Sequence, residues 1–351
     1  MFYRLILLFS VFMNNVAAAP LNHYQWIGSH NSYKQALPAS AFRFLAEKDS
    51  HRAAQIDYAH PSLATQLDLG IRQLEIDVVN DPNGNQYHIP ELAARLNEQW
   101  LTENARHRLA KPGFKVLHIP HVDVRSHCIE FTSCLSQLVA WSDANPSHFP
   151  IVIMMNVKEN QPAFLSSPPP ALFDEKAFAA LDTAIKDTLQ QRLVTPASIQ
   201  GKFDSLREAI VQQGWPDVNE LKGKFLFLFD GNAEQRRRYL RGQPSLTQQA
   251  MFASFDPDHP SAAIMIKNNP VDQQADIRAL VARGFMVRTR SDANFSAPDS
   301  VKAAQREAAF RSGAQMISTD FYPQSPQAKR HGYQVSFVDG ALRRPHPFIP
   351  K

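Results

Sequence analysis

Gln73-Leu74-Glu75-Ile76-Asp77-Val78 alternates apolar and polar side chains and sets two carboxylates two positions apart. Successive side chains of a strand point to opposite faces, so Leu74 and Ile76 share one face and Glu75 and Asp77 the other. The apolar face suits a covering layer of helices, and the acids then aim into the interior of a barrel. Other segments likewise run apolar and end in polar groups: Ile27-Gly28-Ser29-His30-Asn31, Val116-Leu117-His118, Met154-Met155-Asn156-Val157-Lys158, Val287-Arg288-Thr289-Arg290 and Ile317-Ser318-Thr319-Asp320. In a barrel of parallel strands, chemistry gathers at the C-terminal strand ends.

Working outward, the pattern predicts strands at Tyr24–Ser29, Gln73–Val78, Phe114–Ile119, Ile151–Val157, Lys224–Asp230, Met251–Phe255, Phe285–Arg290 and Gln315–Asp320. Ala263–Ile266 competes with Met251–Phe255 for the sixth. Helical patterns lie between them at Ala39–Lys48, Ile89–Asn97, Leu135–Asn145, Glu175–Gln190, Ala275–Arg283 and Val301–Ser312. Strands alternating with helices imply an α/β fold with a parallel sheet covered on both faces. The predicted architecture is a TIM-type (β/α)8 barrel in one domain, residues 20–351. A doubly wound open sheet is the rival, but no strand is followed by a Gly-rich nucleotide loop.

Arg4, the apolar run Leu5–Met13 and the small residues Ala17, Ala18 and Ala19 read as a secretory leader within residues 1–19, with Pro20 moving the cut back to Ala18. Removing Arg4 lowers the formal charge from +4 to +3, too slight a balance for a nucleic-acid partner. A secreted or periplasmic monomer is expected, with transient contact at an anionic membrane surface. Gln235–Arg241 reads as a solvated helix face, with anionic lipid as its other use. Cys128 and Cys134, the chain's two cysteines, suggest a disulfide closing a small loop in an exported protein; two free buried thiols are the alternative.

Two carboxylates inside a barrel repel each other and resist burial, and a divalent cation relieves both problems. All-oxygen ligands favour calcium or magnesium, with Asn31 and Asn156 as neutral donors beside Glu75 and Asp77. The competing reading pairs the acids with Lys158 and Arg290 and needs no metal. His30 after the first strand and His118 at the end of the third are the candidate acid–base pair, with His121 ranked behind His118. Lys158 and Arg290 suit a phosphate. Tyr322 suits packing on a ring-shaped head group, and Asp123 and Asp320 suit orienting side chains or holding hydroxyls.

Gly28-Ser29-His30-Asn31-Ser32-Tyr33, Leu74–Val78, His118-Ile119-Pro120-His121-Val122-Asp123 with Arg125, Cys128 and Cys134, Gly284–Arg290 and Ser312–Tyr322 occur in order across nearly the whole mature chain. Together they resemble the calcium-dependent phosphoinositide phospholipase C family of bacterial type. The resemblance implies a TIM-type barrel of the phospholipase C-like phosphodiesterase superfamily. It also implies His30 as general base, His118 as general acid, and Asn31, Glu75 and Asp77 on calcium-ligand positions, with calcium favoured over magnesium. Many relatives place Glu where this chain has Asn156, which removes one formal charge from the ligand set. The implied substrate is a phosphoinositide-type lipid, cleaved through a cyclic inositol phosphate. A glycerophosphodiester phosphodiesterase or a sphingomyelinase-like enzyme stays open at this point. So does a head-group-binding protein without turnover, against which the intact histidine pair argues.

Overall fold

The computed structural model describes residues 19–292 and 294–349; the expected leader lies outside them except for Ala19. One eleven-stranded sheet organises these residues: β1 Tyr24–Ser29, β2 Gln73–Asp81, β3 Gly113–Val116, β4 Ile151–Val157, β5 Leu193–Val194, β6 Phe225–Phe229, β7 Phe252–Ala253, β8 Ile264–Ile266, β9 Met286–Arg290, β10 Met316–Thr319 and β11 Arg343–Pro345. Strands β1, β2, β4, β6, β7, β8, β9 and β10 run parallel and curl into a TIM-type barrel. Between β7 and β8 a side chain bridges the wall, Ile266 N donating to Ser254 Oγ at 3.0 Å. Helices Ala39–Lys48, Phe131–Ala144, Glu175–Leu189, Gln274–Ala282 and Asp299–Ser312 fall where the periodicity predicts them.

One predicted strand needs correction and one competing pair resolves into two strands. Phe114–Ile119 is not a barrel stave: β3 pairs antiparallel with the end of β2, Val116 opposite Val78 and Gly113 opposite Asp81. Residues 82–112 separate the two strands, and β3 runs back along β2, which an antiparallel neighbour allows without a crossover helix. The missing stave is β8, because both candidates for the sixth position are strands.

The period of two sorts the core into layers. Leu74, Ile76, Ile151, Ile153, Met155, Phe225, Phe227 and Phe229 pack outward against Leu135, Leu138, Phe178 and Leu181 of the helices. Val152, Met154, Leu226 and Leu228 take the other face and join Trp26, Ile264, Met286 and Met316 in a second cluster. Each such side chain contributes roughly 1.5–3 kcal/mol by leaving water. The alternation then continues past the apolar floor to Asp77 and Asn156, which are register partners. Gly28 is required low in the barrel: a Cβ there would lie 2.7 Å from Gln73 Cβ, next to the backbone of β2. Cys128 and Cys134 form a disulfide at the start of helix Phe131–Ala144. Arg238 and Tyr239 of the Gln235–Arg241 segment are buried, Arg238 pairing with Glu159 at 2.8 Å, so that helix face is only partly solvated.

Candidate active site

His30 follows β1 at the barrel mouth. Its Nδ1 donates to Asp320 Oδ2 at 3.2 Å, and Asp320 follows β10, the neighbouring strand. Asp320 Oδ1 also accepts from His60 Nε2 at 3.1 Å, and Arg290 Nη2 lies 3.4 Å from Oδ2. Burial alone would raise the Asp320 pKa, but the charges and hydrogen bonds of His30 and His60 outweigh it and hold the carboxyl well below the usual range. For His30, burial and then the charge of Arg290 push the pKa down to about 3, although Asp320 pulls the other way. The imidazole is therefore neutral near pH 7, with Nδ1 occupied as a donor and Nε2 free to accept. Nε2 looks toward Glu75, 3.8 Å from Oε1.

His118 reaches the same mouth by another route, two residues beyond the end of β3. A tight turn follows, His118 N donating to the Asp123 carbonyl at 3.0 Å and Asp123 N to the Ile119 carbonyl at 2.9 Å. The turn sets His118 Nδ1 against Asp123 Oδ2 at 2.8 Å, with Lys34 Nζ behind the carboxylate at 3.2 Å. Burial opposes ionisation of Asp123, but Lys34 and His118 outweigh it and lower its pKa. Tyr58 joins the two sides, its ring centroid 5.4 Å from that of His30 and 6.1 Å from that of His118. His121 turns away and packs on Tyr87 at 5.2 Å.

Glu75, Asp77 and Asn156 form the opposite wall. Glu75 Oε2 accepts from Arg288 Nη2 at 2.7 Å and Oε1 from Asn156 Nδ2 at 3.1 Å. Asp77 Oδ2 accepts from Tyr33 Oη and Lys158 Nζ, both at 2.9 Å. Burial pushes the Glu75 carboxyl up to about 7. Burial disfavours the charge of Lys158, but Asp77 outweighs it and raises the ammonium pKa. The metal-free pairing is thus half realised: Lys158 takes Asp77 as expected, while Arg288 rather than Arg290 takes Glu75. The arrangement offers two carboxylate-backed imidazoles, two partly exposed cations in Lys158 and Arg290, and a buried acid pair, a set suited to proton transfer around an anionic centre.

The sequence matches the family described as phosphoinositide phospholipase C, Ca2+-dependent, over residues 19–347. The chain belongs to this family. Its members are phosphodiesterases. No curated protein sequence matches the chain. Among solved structures it is similar to the calcium-dependent phosphoinositol-specific phospholipase C of the Gram-negative bacterium Pseudomonas sp., with 16% identity, TM-score 0.57, and 93% of this chain and 95% of that one covered. The same enzyme as a myoinositol complex gives 16% identity and TM-score 0.56 over the same shares. The Ca2+-dependent phosphatidylinositol-specific phospholipase C of Streptomyces antibioticus gives 20% identity and TM-score 0.56, covering 87% of this chain and 96% of that one.

The family is calcium-dependent by its description, and the donors here suit a hard cation. Asn31 Oδ1 and Asp77 Oδ1 are buried oxygens without a hydrogen-bond partner. Ser32 N donates to the Glu75 carbonyl at 2.9 Å and holds Asn31 beside the acid strand. Among the described residues no group of three or more His, Cys, Asp and Glu side chains is arranged for a metal ion, so the candidate set depends on its amides, Asn31 and Asn156.

Tyr322 corrects one expectation. It is 0% exposed, its hydroxyl lies 3.0 Å from His60 Nδ1, and its ring stacks on His60 at 5.6 Å, so it supports His60 instead of meeting a head group. Several residues of the site escaped the sequence reading. Arg288 precedes Arg290 by two, and the period of two that placed Glu75 beside Asp77 was signal enough to find it. Asp230, directly after β6, carried the same strand-end signal; burial raises its pKa, with Arg288 and Lys158 opposing. His60, Tyr58, Tyr33 and Lys34 lie outside the strands and had no local signal.

Proposed function

We propose that the chain is an exported, calcium-requiring phosphodiesterase that cleaves phosphoinositide-type lipids by paired histidine acid–base catalysis. The observation that carries this reading is the pair of imidazoles, each backed by a buried carboxylate, converging on the ring of Tyr58. The family membership and the myoinositol complex of the Pseudomonas relative support the head group. Asn31, Glu75 and Asp77 would hold calcium, with Asn156 completing the set. A bound calcium supplies positive charge to the phosphate oxygens.

His30 Nε2 takes the proton of the inositol hydroxyl next to the phosphate as that oxygen attacks phosphorus. Lys158 and Arg290 hold the phosphate oxygens as charge builds on them. The bond from phosphorus to the glycerol oxygen breaks, and His118 gives that oxygen its proton. Diacylglycerol leaves and a five-membered cyclic inositol phosphate remains. Water then opens the ring with the histidines exchanging roles. Asp320 and Asp123 keep each ring in the required tautomer throughout.

Export rests on the leader within residues 1–19, and among the described residues no helix is long and apolar enough to cross a membrane. The test is a panel of phosphatidylinositol, glycerophosphoinositol, phosphatidylcholine and sphingomyelin, each with calcium and with EDTA, followed by phosphorus NMR. The expected result is cyclic inositol phosphate from phosphatidylinositol with calcium only. Turnover confined to another diester, or untouched by EDTA, would overturn the reading.

A further inference from the structure

Asn31 is 2% exposed and sits in a left-handed turn with φ of 45°, a conformation that Asn tolerates better than most residues. Its amide is tied at one end only. Nδ2 donates to Tyr58 Oη at 2.6 Å, while Oδ1 is buried and has no partner. A side-chain amide has a donor end and an acceptor end, and half a turn about χ2 exchanges them. Which end faces the acid wall is therefore decided by what the surroundings of the other end accept. Tyr58 comes from the segment after helix Ser50–Ile56 and is firmly held there. Lys34 Nζ donates to its carbonyl at 2.7 Å and lies 4.6 Å from its ring, which also packs 5.4 Å from Phe295. A fixed acceptor thus stands at the donor end of the amide.

We propose that Tyr58 is a positioning residue for the cation site: its hydroxyl accepts the Asn31 Nδ2–H and keeps Oδ1 as the end offered to calcium. The inference rests on the calcium requirement proposed above. It assigns the role to the hydroxyl alone, because phenylalanine preserves the ring contacts with His30, His118 and Phe295. With phenylalanine at this position, Nδ2–H stays buried without an acceptor whenever Oδ1 is on the ion, and such an orphaned donor is costly.

The test is calorimetric calcium titration of the full chain after stripping with EDTA. Tyr58→Phe is expected to weaken calcium binding about tenfold, the low end of what removing a partner of a metal ligand costs. The melting temperature of the stripped protein should stay at the native value. Asn31→Asp supplies the second background: a carboxylate presents oxygen at either end, so Tyr58→Phe there should weaken binding by less than about threefold. Equal affinity in native protein and Tyr58→Phe overturns the role of Tyr58 and leaves the calcium reading intact. Equal losses in both backgrounds also overturn it and assign Tyr58 to general packing. A native chain that binds no calcium overturns both.

Discussion

His30 and His118 are held by the same device on different supports. Each gives Nδ1 to a buried carboxylate, and each carboxylate has a cation behind it. The His30 pair joins residues 290 apart in sequence, brought together because β1 and β10 are neighbouring staves. The His118 pair joins residues 5 apart, closed by one turn on a segment inserted over the mouth. Asp320 carries His60 as a further partner, whereas Asp123 relies on Lys34. The difference suits the division of labour. In the proposed mechanism the base is neutral, and burial with two arginines nearby keeps His30 so. His118, the proposed acid, stands instead on a local turn.

The largest effect breaks or upholds that division. His30→Ala should lower kcat/KM by about 10³- to 10⁴-fold on phosphatidylinositol and on an aryl phosphodiester of inositol alike. Thermal unfolding should remain native. His118→Ala should lose comparably on the lipid but keep most of its rate on the aryl ester, because an arenolate leaves without a proton. Equal losses on both substrates would abolish the distinction between base and acid.

Asp320→Asn and Asp123→Asn sharpen it further. Asparagine in place of the carboxylate favours the wrong tautomer, and about 10³-fold is expected at Asp320, where His60 and Arg290 also lose their partner. About 10²-fold is expected at Asp123, near the low end for a positioned acid. Steady-state kinetics on the lipid ranks the two.

Stability should separate the sides next. His30 has a folded pKa of about 3 against 6.5 unfolded, so between these pH values the unfolded chain binds more protons. Its contribution is present above pH 6.5 and is lost as pH falls through about 3. His30→Asn should flatten the decline of melting temperature over that window, and an unchanged decline would place the acid sensitivity elsewhere. The smallest effect lies on the inserted side. Replacing Cys128 and Cys134 together by Ala should reduce stability by about 2 kcal/mol, as the loop is short. His127 Nε2 lies 2.7 Å from the His60 carbonyl and its N–H donates to the Tyr33 carbonyl at 2.8 Å, so the loop also braces this side. The variant should lose more rate on the lipid than on the aryl ester.

Much of this was legible along the chain. Alternation in Gln73–Val78 put Glu75 and Asp77 inside the barrel, and the strand-end rule found His30, Lys158, Arg290 and Asp320 at its mouth. The rule misjudged β3, because a strand's direction leaves no trace in its own periodicity. It misjudged Tyr322 for a related reason: an aromatic residue after a strand reads the same whether it faces a ligand or a buried histidine.

By itself the sequence determined which residues share a face, where the staves end in chemistry, and that Cys128 and Cys134 are near enough to close a small loop. These are properties of neighbouring residues, set by backbone period and burial preference. Only the tertiary structure decided that β8 is a stave and β3 is not, that Asp320 serves His30 and His60 together, that Arg288 takes Glu75, and that Tyr58 stands between the histidines. Those contacts join residues far apart in sequence, and closure of the barrel selects them by packing many segments at once.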